Sequence, residues 1–272
     1  LAIKYFRMKK AIILVLIYFL VQVAAALLCM GAMIIYQYAT TGSFVTTDMT
    51  SDIMAPMMVL GFVLMSLILW KGGYLRPFNE VWNVLTPSYL GWTALLGCAL
   101  IFLIDSLLSL LDFLPDILKN EFEALESGWL GIFAVSVLGP ILEEMLFRGA
   151  ITRELLKRYK PQHAILFSGL IFGLFHINPA QVVPAMLIGF VLAWLYWRTK
   201  SIIPGIIIHI INNSLSCYIT VVHPEAESLT DLFGGRAPVA FGILIAIALC
   251  YVCVMKLNNV EEKVNPDDSP LS

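Results

Sequence analysis

Charge is what this chain has least of. Lys, Arg, Asp and Glu make up 13% of its 272 residues, about half the share of an ordinary soluble domain. Nor is one sign in excess. The formal net charge is −2, which excludes the basic face that a nucleic-acid partner calls for. Cysteine is sparse, and Cys29, Cys98, Cys217, Cys250 and Cys253 all fall in apolar stretches. The C-x-x-C of Cys250 and Cys253 therefore reads as packing rather than as a redox pair. Three protease signatures are missing as well: there is no H-E-x-x-H, no G-x-S-G and no G-x-G-D. No internal repeat or inter-domain linker interrupts the chain, so residues 1–272 read as one membrane domain with a polar tail over about 258–272.

Apolar residues are what the chain does have. They form 60% of it, more than the core of a soluble domain this long could hide. Runs near the roughly 20 residues needed to cross a bilayer occur at about 11–37, 53–71, 91–113, 129–149, 162–178, 180–197, 201–222 and 237–256. The predicted class is all-α: a polytopic membrane protein of about eight helices around an intramembrane cavity. The apolar run after "KYFRMKK" is too long for a secretory h-region, so an anchored first helix is expected.

The flanks alternate in charge. Lys4, Arg7, Lys9, Lys10, Lys71, Arg76, Arg153, Lys157, Arg158, Lys160, Arg198, Lys200, Lys256 and Lys263 fall on one side of an eight-span topology. The other side holds only Lys119 and Arg236, together with Asp112, Asp116, Glu121, Glu123, Glu126, Glu225 and Glu227. The positive-inside rule then predicts that both termini are cytoplasmic.

Against this background "ILEEMLFRG", residues 141–149, stands out. Charge within hydrocarbon costs a few kcal/mol per group, on the order of 3 on insertion scales, and marks function by default. Glu144 and Arg148 are four residues apart with the acid first, the favourable order for a helical ion pair. Glu143 lies about 100° around the helix and cannot share that partner in the same way. It is left free to face a cavity. Gly139-Pro140, just upstream, should loosen the backbone and leave carbonyls unpaired.

Two further apolar stretches carry polar groups. "FGLFH" sets Phe172 and His176 on one face, and "HIINN" does the same for His209 and Asn213, with Asn212 beside it. Singly, such residues are most often interhelical hydrogen-bonders. Together a glutamate, two histidines and an asparagine can activate a water and stabilise an oxyanion. Asp105 has no motif around it and reads as structural. His163 and His223 read as interfacial, Trp194, Tyr196 and Trp197 as an interfacial aromatic belt, and Asn178-Pro179 as a helix stop.

Glu143-Glu144-x-x-x-Arg148, Phe172-x-x-x-His176 and His209-x-x-x-Asn213 occur in that order. The ordered set resembles the CPBP intramembrane proteases, which include the type II CAAX prenyl endopeptidases and bacterial Abi proteins. The motifs lie within about residues 140–215, inside a core of about 129–222.

The resemblance implies hydrolysis of a peptide bond by an activated water, in a peptide or membrane-anchored protein substrate. It implies Glu143 as general base and His176 as a ligand of the same water or donor to the leaving amine. His209 and Asn213 would donate to the oxyanion, with Glu144, Arg148, Phe172 and Asn212 in support. A bacterial cytoplasmic membrane is the implied location, and no cofactor is favoured.

Two alternatives stay open. Zinc or another divalent metal could sit on Glu143, His176 and His209. A non-enzymatic scaffold or transporter could use the same charges as a proton relay, although the paired broken helices of a transporter are not seen. Depth adds one difficulty. At about 1.5 Å per residue, Glu143 and His209 fall roughly 10 Å from the cytoplasmic face while His176 lies nearer the outer one. For His176 to reach them, the fifth helix must begin low, near "YKPQ", or else tilt or sink.

Overall fold

The structure is a computed structural model that describes residues 2–43, 49–109, 114–226 and 228–259. Its main helices are α1 (Ala2–Thr41), α2 (Ser51–Lys71), α3 (Pro87–Leu108) and the short α4 (Lys119–Glu126). They are followed by the continuous helical span α5 (Trp129–Leu156). The chain continues through α6 (Pro161–Phe175), α7 (Pro179–Thr199), α8 (Ile203–Val222), a single turn α9 (Leu229–Leu232) and α10 (Arg236–Asn258). The only β feature among the described residues is one isolated bridge, Trp82 to Ser201. Asp112, Glu227, Lys263 and the rest of the polar tail beyond residue 259 lie outside the described residues, as do the side chains of Lys4 and Arg7.

Seven of these helices are long and apolar enough to cross a membrane, not the eight expected. The exception is the fifth expected span. α6 has 15 residues, or about 22 Å at 1.5 Å per residue, short of a hydrocarbon core of about 30 Å. Its start is set by Pro161, within the "YKPQ" segment. Its end is set by Ile177, which takes the left-handed conformation at φ 60° and turns the chain into Pro179. The apolar pattern of residues 162–178 could not reveal that turn, because an isoleucine rarely adopts it.

The ends of the helices sort by charge. At one end Arg153 donates to the Tyr74 carbonyl (3.3 Å), Asn83 to the Thr199 carbonyl (3.0 Å) and Arg198 to the Asn258 carbonyl (3.1 Å). Lys10, on α1, lines the same cavity as Tyr74 and Arg153. Lys10, Arg153, Arg198 and the end of α10 at Asn258 are thus gathered on one side. At the opposite end Ser51 donates to the Leu125 carbonyl, and Asp116 meets Asn178. Tyr196, expected in an aromatic belt, instead turns inward: it is buried, and its hydroxyl donates to the Glu80 carbonyl at 2.8 Å. A tyrosine can sit that deep because its O–H finds a partner.

Burial identifies the central element. In α5, 56% of the most apolar window is buried, against 17% in α1 and in α10, so α5 is the axis and those two face the lipid. Around it pack Phe62 and Met65 of α2, Phe172 and Phe175 of α6 and Leu192 of α7.

Candidate active site

The span α5 is not a uniform helix. Residues Ala134–Leu138 and Met145–Thr152 are wound as π-helix, and the six residues between them, Gly139–Glu144, carry both glutamates. The first π segment has a local cause. The Gly139 N–H bonds to the Ala134 carbonyl, five residues back. The next bond in that register would run from residue 140 to Val135, but residue 140 is proline and has no N–H. The orphaned Val135 carbonyl is met instead by the Asn213 side-chain amide of α8, at 3.0 Å. Wide turns of this kind recur at functional sites because they re-aim the residues beside them.

Glu144 faces inward and is fully buried with Arg148. One guanidinium nitrogen donates to Glu144 Oε1 at 2.7 Å and another to the Gly189 carbonyl at 3.2 Å. The guanidinium carbon sits 4.4 Å from the centre of the Phe172 ring. This combination of carboxylate, carbonyl and aromatic face offsets the cost of burying the charge. Space for it comes from glycine: a Cβ at Gly205, on α8, would collide with the Glu144 carboxylate. Glu144 Oε1 also accepts from His209 Nδ1, at 3.3 Å.

Glu143 has a different neighbourhood. Its side chain is 15% exposed, and Oε2 is buried with no direct hydrogen-bond partner. Two imidazoles flank that oxygen, His209 Nε2 at 3.7 Å and His176 Nε2 at 3.9 Å. Both rings are held by their other nitrogen. His176 Nδ1 lies 2.9 Å from the Phe172 carbonyl, which can only accept, so Nδ1 carries the proton. His209 Nδ1 faces the Glu144 carboxylate, with the same consequence. The two Nε2 atoms are therefore the ones turned toward Glu143. Phe172 packs edge-on against His176 (4.9 Å between ring centres) and His209 (5.6 Å), fixing both ring planes.

Of the residues expected at the site, Glu143, His176 and His209 are brought together, with Glu144, Arg148 and Phe172 directly behind them. The short α6 resolves the depth difficulty, since it ends level with Glu143. Asn213 is placed differently from a free oxyanion donor. One of its amide hydrogens goes to Val135, and its oxygen accepts from Asn212 at 3.1 Å. Sequence reasoning missed Gly189 and Gly205, whose partners lie on another helix, and took Asn178 only as a helix stop.

A metal would use Glu143, His176 and His209, and the Nδ1 contacts of the two imidazoles suit that role as well. Among the described residues, however, no group of three or more His, Cys, Asp or Glu side chains has the spacing of a metal site.

Fold and site together define a polytopic, all-α membrane protein with a carboxylate and two imidazoles converging inside the helix bundle. The sequence model of the family described as Rce1-like, type II CAAX prenyl endopeptidase Rce1-like, matches residues 125–215. That stretch, similar in sequence to the Rce1-like model, contains α5, α6, α7 and the motif-bearing part of α8.

Similar proteins agree. The membrane-embedded CAAX protease MroQ of Staphylococcus aureus (strain USA300) is 35% identical over 102 residues, covering 35% of this chain and 41% of that protein. The putative membrane peptidase YdiL of Bacillus subtilis (strain 168) is 38% identical over 85 residues, covering 31% and 35%. The UPF0177 protein YxdF of Lactococcus lactis subsp. lactis (strain IL1403) is 24% identical over 185 residues, covering 66% and 93%. The matches to MroQ and YdiL thus span less than half of those proteins. No solved structure matches significantly.

Proposed function

We propose that the chain is an intramembrane endopeptidase that hydrolyses a peptide bond of a peptide or membrane-anchored protein with a water activated by Glu143. The observation that carries this reading is Glu143 Oε2, buried, without a direct hydrogen bond and flanked by two Nε2 atoms at 3.7 and 3.9 Å. Such separations are too long for direct bonds and are those that a bridging water spans.

In the reaction Glu143 takes a proton from the water as its oxygen attacks the scissile carbonyl carbon. His176 orients the same water through Nε2, and the proton taken by Glu143 passes by way of that nitrogen to the leaving amine as the C–N bond breaks, which restores the carboxylate. His209, held by Nδ1 on the Glu144 carboxylate, turns Nε2 toward the site, where a proton on that nitrogen would donate to the oxyanion. Asn213 has two amide N–H groups; one holds Val135, and the other serves the oxyanion. Glu144 and Arg148 keep the helix and the His209 ring in place. By charge asymmetry, the end that holds Lys10, Arg153 and Arg198 faces the cytoplasm, which puts both termini there.

The site fits two versions of this chemistry. We favour the metal-free one because His209 Nδ1 engages a carboxylate already paired with Arg148, an arrangement suited to a proton donor. Zinc on Glu143, His176 and His209 is the alternative.

Cleavage of a single-span reporter by purified wild type and Glu143→Ala, each with and without chelator, tests both. Wild type should cleave with or without chelator, and Glu143→Ala should not cleave at all. Stoichiometric zinc, with activity lost on its removal and restored on its return, would replace the metal-free mechanism. Cysteines placed at 119 and 236 should label from the outside only; labelling from the cytoplasm would reverse the orientation.

A further inference from the structure

The turn that places His176 is held by a residue outside the three motifs. Asn178 occupies the N-cap of α7, where an asparagine side chain ordinarily accepts from the first turn of its own helix. Here it makes no such bond. It is fully buried, and its side chain reaches across to the segment that precedes α4. Its Oδ1 accepts from the Ile117 N–H at 3.1 Å, and its Nδ2 donates to Asp116 Oδ1 at 2.8 Å. Between Asn178 and His176 stands Ile177, 60% exposed and left-handed at φ 60°. A branched side chain rarely accepts that conformation, which helices usually close with glycine. Ile177 is mostly exposed and gains little there from packing, so something else must hold it.

We infer that Asn178 is a positioning residue: its two bonds to residues 116 and 117 keep Ile177 left-handed, and so stop α6 where His176 meets Glu143. Without the clamp, Ile177 relaxes toward ordinary helical or extended backbone and the His176 ring leaves the carboxylate. The inference rests on the protease reading for its consequence in activity, but not for its geometry.

The test is a double-variant cycle on the full chain in lipid vesicles. Asn178→Ala should lower kcat at least tenfold while KM stays within twofold. Ile177→Gly alone should remain within threefold of wild type. In the double variant glycine adopts the turn unaided, and kcat should return to within threefold of the Ile177→Gly value. A merely structural role for Asn178 predicts no such rescue, and a double variant as slow as Asn178→Ala would overturn the inference, as would full kcat in Asn178→Ala. If Asn178→Ala does not fold, Asp116→Ala, which removes one of the two bonds, should show a smaller loss with the same rescue, and its absence would count equally against the clamp.

Amide hydrogen exchange over residues 176–178 reads the clamp without any activity. It should quicken in Asn178→Ala, and unchanged exchange would overturn the clamp. Failure of folded wild type to cleave the reporter would instead sink the protease reading and leave that exchange result standing.

Discussion

Two faces of one helix, a single residue apart, treat the same functional group in opposite ways. On the Glu144 side of α5 the carboxylate is fully buried and meets a guanidinium at 2.7 Å and an imidazole at 3.3 Å. On the Glu143 side the carboxylate is partly open, and two imidazole nitrogens stand 3.7 and 3.9 Å from its Oε2. The first is a closed ion pair: both side chains are fully buried and bonded to each other, although Glu144 Oε2 and Arg148 Nε have no further partner. The second is open and lacks a direct hydrogen bond at Oε2, and such a carboxylate in a membrane bundle is where chemistry can happen. The contrast teaches that charge in a span serves two jobs, and that the paired charges make the unpaired one possible by fixing His209 and the helix behind it.

The largest effect expected on this comparison is on the open side. His176→Ala should lower kcat by about 10²–10⁴-fold, the usual contribution of a positioned proton-transfer group, with the folded fraction unchanged by size-exclusion and circular dichroism. A loss below about tenfold would remove His176 from the reaction.

On the closed side the effect should be on stability. Glu144→Gln strands a buried guanidinium, a change that costs about 3–5 kcal/mol, read as a lower unfolding midpoint in detergent. A midpoint equal to wild type would show that Arg148 does not depend on Glu144. Gly205→Ala attacks the same side through space alone. Its Cβ would collide with the Glu144 carboxylate, and such overpacking costs about 1–3 kcal/mol. Activity per folded molecule should fall less than yield does.

How far these two faces could be read from sequence differs in an instructive way. The Glu144–Arg148 pair was legible outright, because four residues on a helix is a local relation that no tertiary detail alters. The meeting of Glu143 with His176 and His209 was not local; only the ordered motifs suggested it, since nothing in the spacing between residues 143, 176 and 209 fixes a contact. The length of α6 was hidden. Its apolar pattern runs on through Ile177, and the left-handed turn there is set by Asn178 and its partners at 116 and 117. The engagement of Asn213 by Val135 was hidden too. The sequence placed loose carbonyls near Pro140, but which one is orphaned depends on π winding, which leaves no mark in the apolar period. The span count failed on α6 for the same reason: hydropathy measures composition, whereas a turn is set by contacts.

The smallest expected effect lies outside the spans and bears on what burial alone does to a carboxylate. Glu126, at the end of α4, is buried against Cys217 of α8, whose thiol donates to it at 3.2 Å, and burial pushes its pKa above the ordinary 4.5. An acid whose pKa rises on folding costs stability once the pH passes its unfolded value. Glu126→Gln should therefore be close to wild type in stability below pH 4.5 and more stable than wild type above it. Unfolding midpoints across pH would check this; a variant that lost stability as pH rose would mean that Glu126 is held in its charged form.

The division of labour between the two glutamates is tested most directly by a single side-by-side measurement. Wild type, Glu143→Gln and Glu144→Gln are placed in the same vesicles with one single-span reporter, and cleavage is expressed per folded molecule. Removing the base while keeping its volume should abolish turnover in Glu143→Gln, whereas Glu144→Gln should lose folded protein yet keep much of its turnover per molecule. A folded, inactive Glu144→Gln beside a fully active Glu143→Gln would contradict the assignment and exchange the two roles.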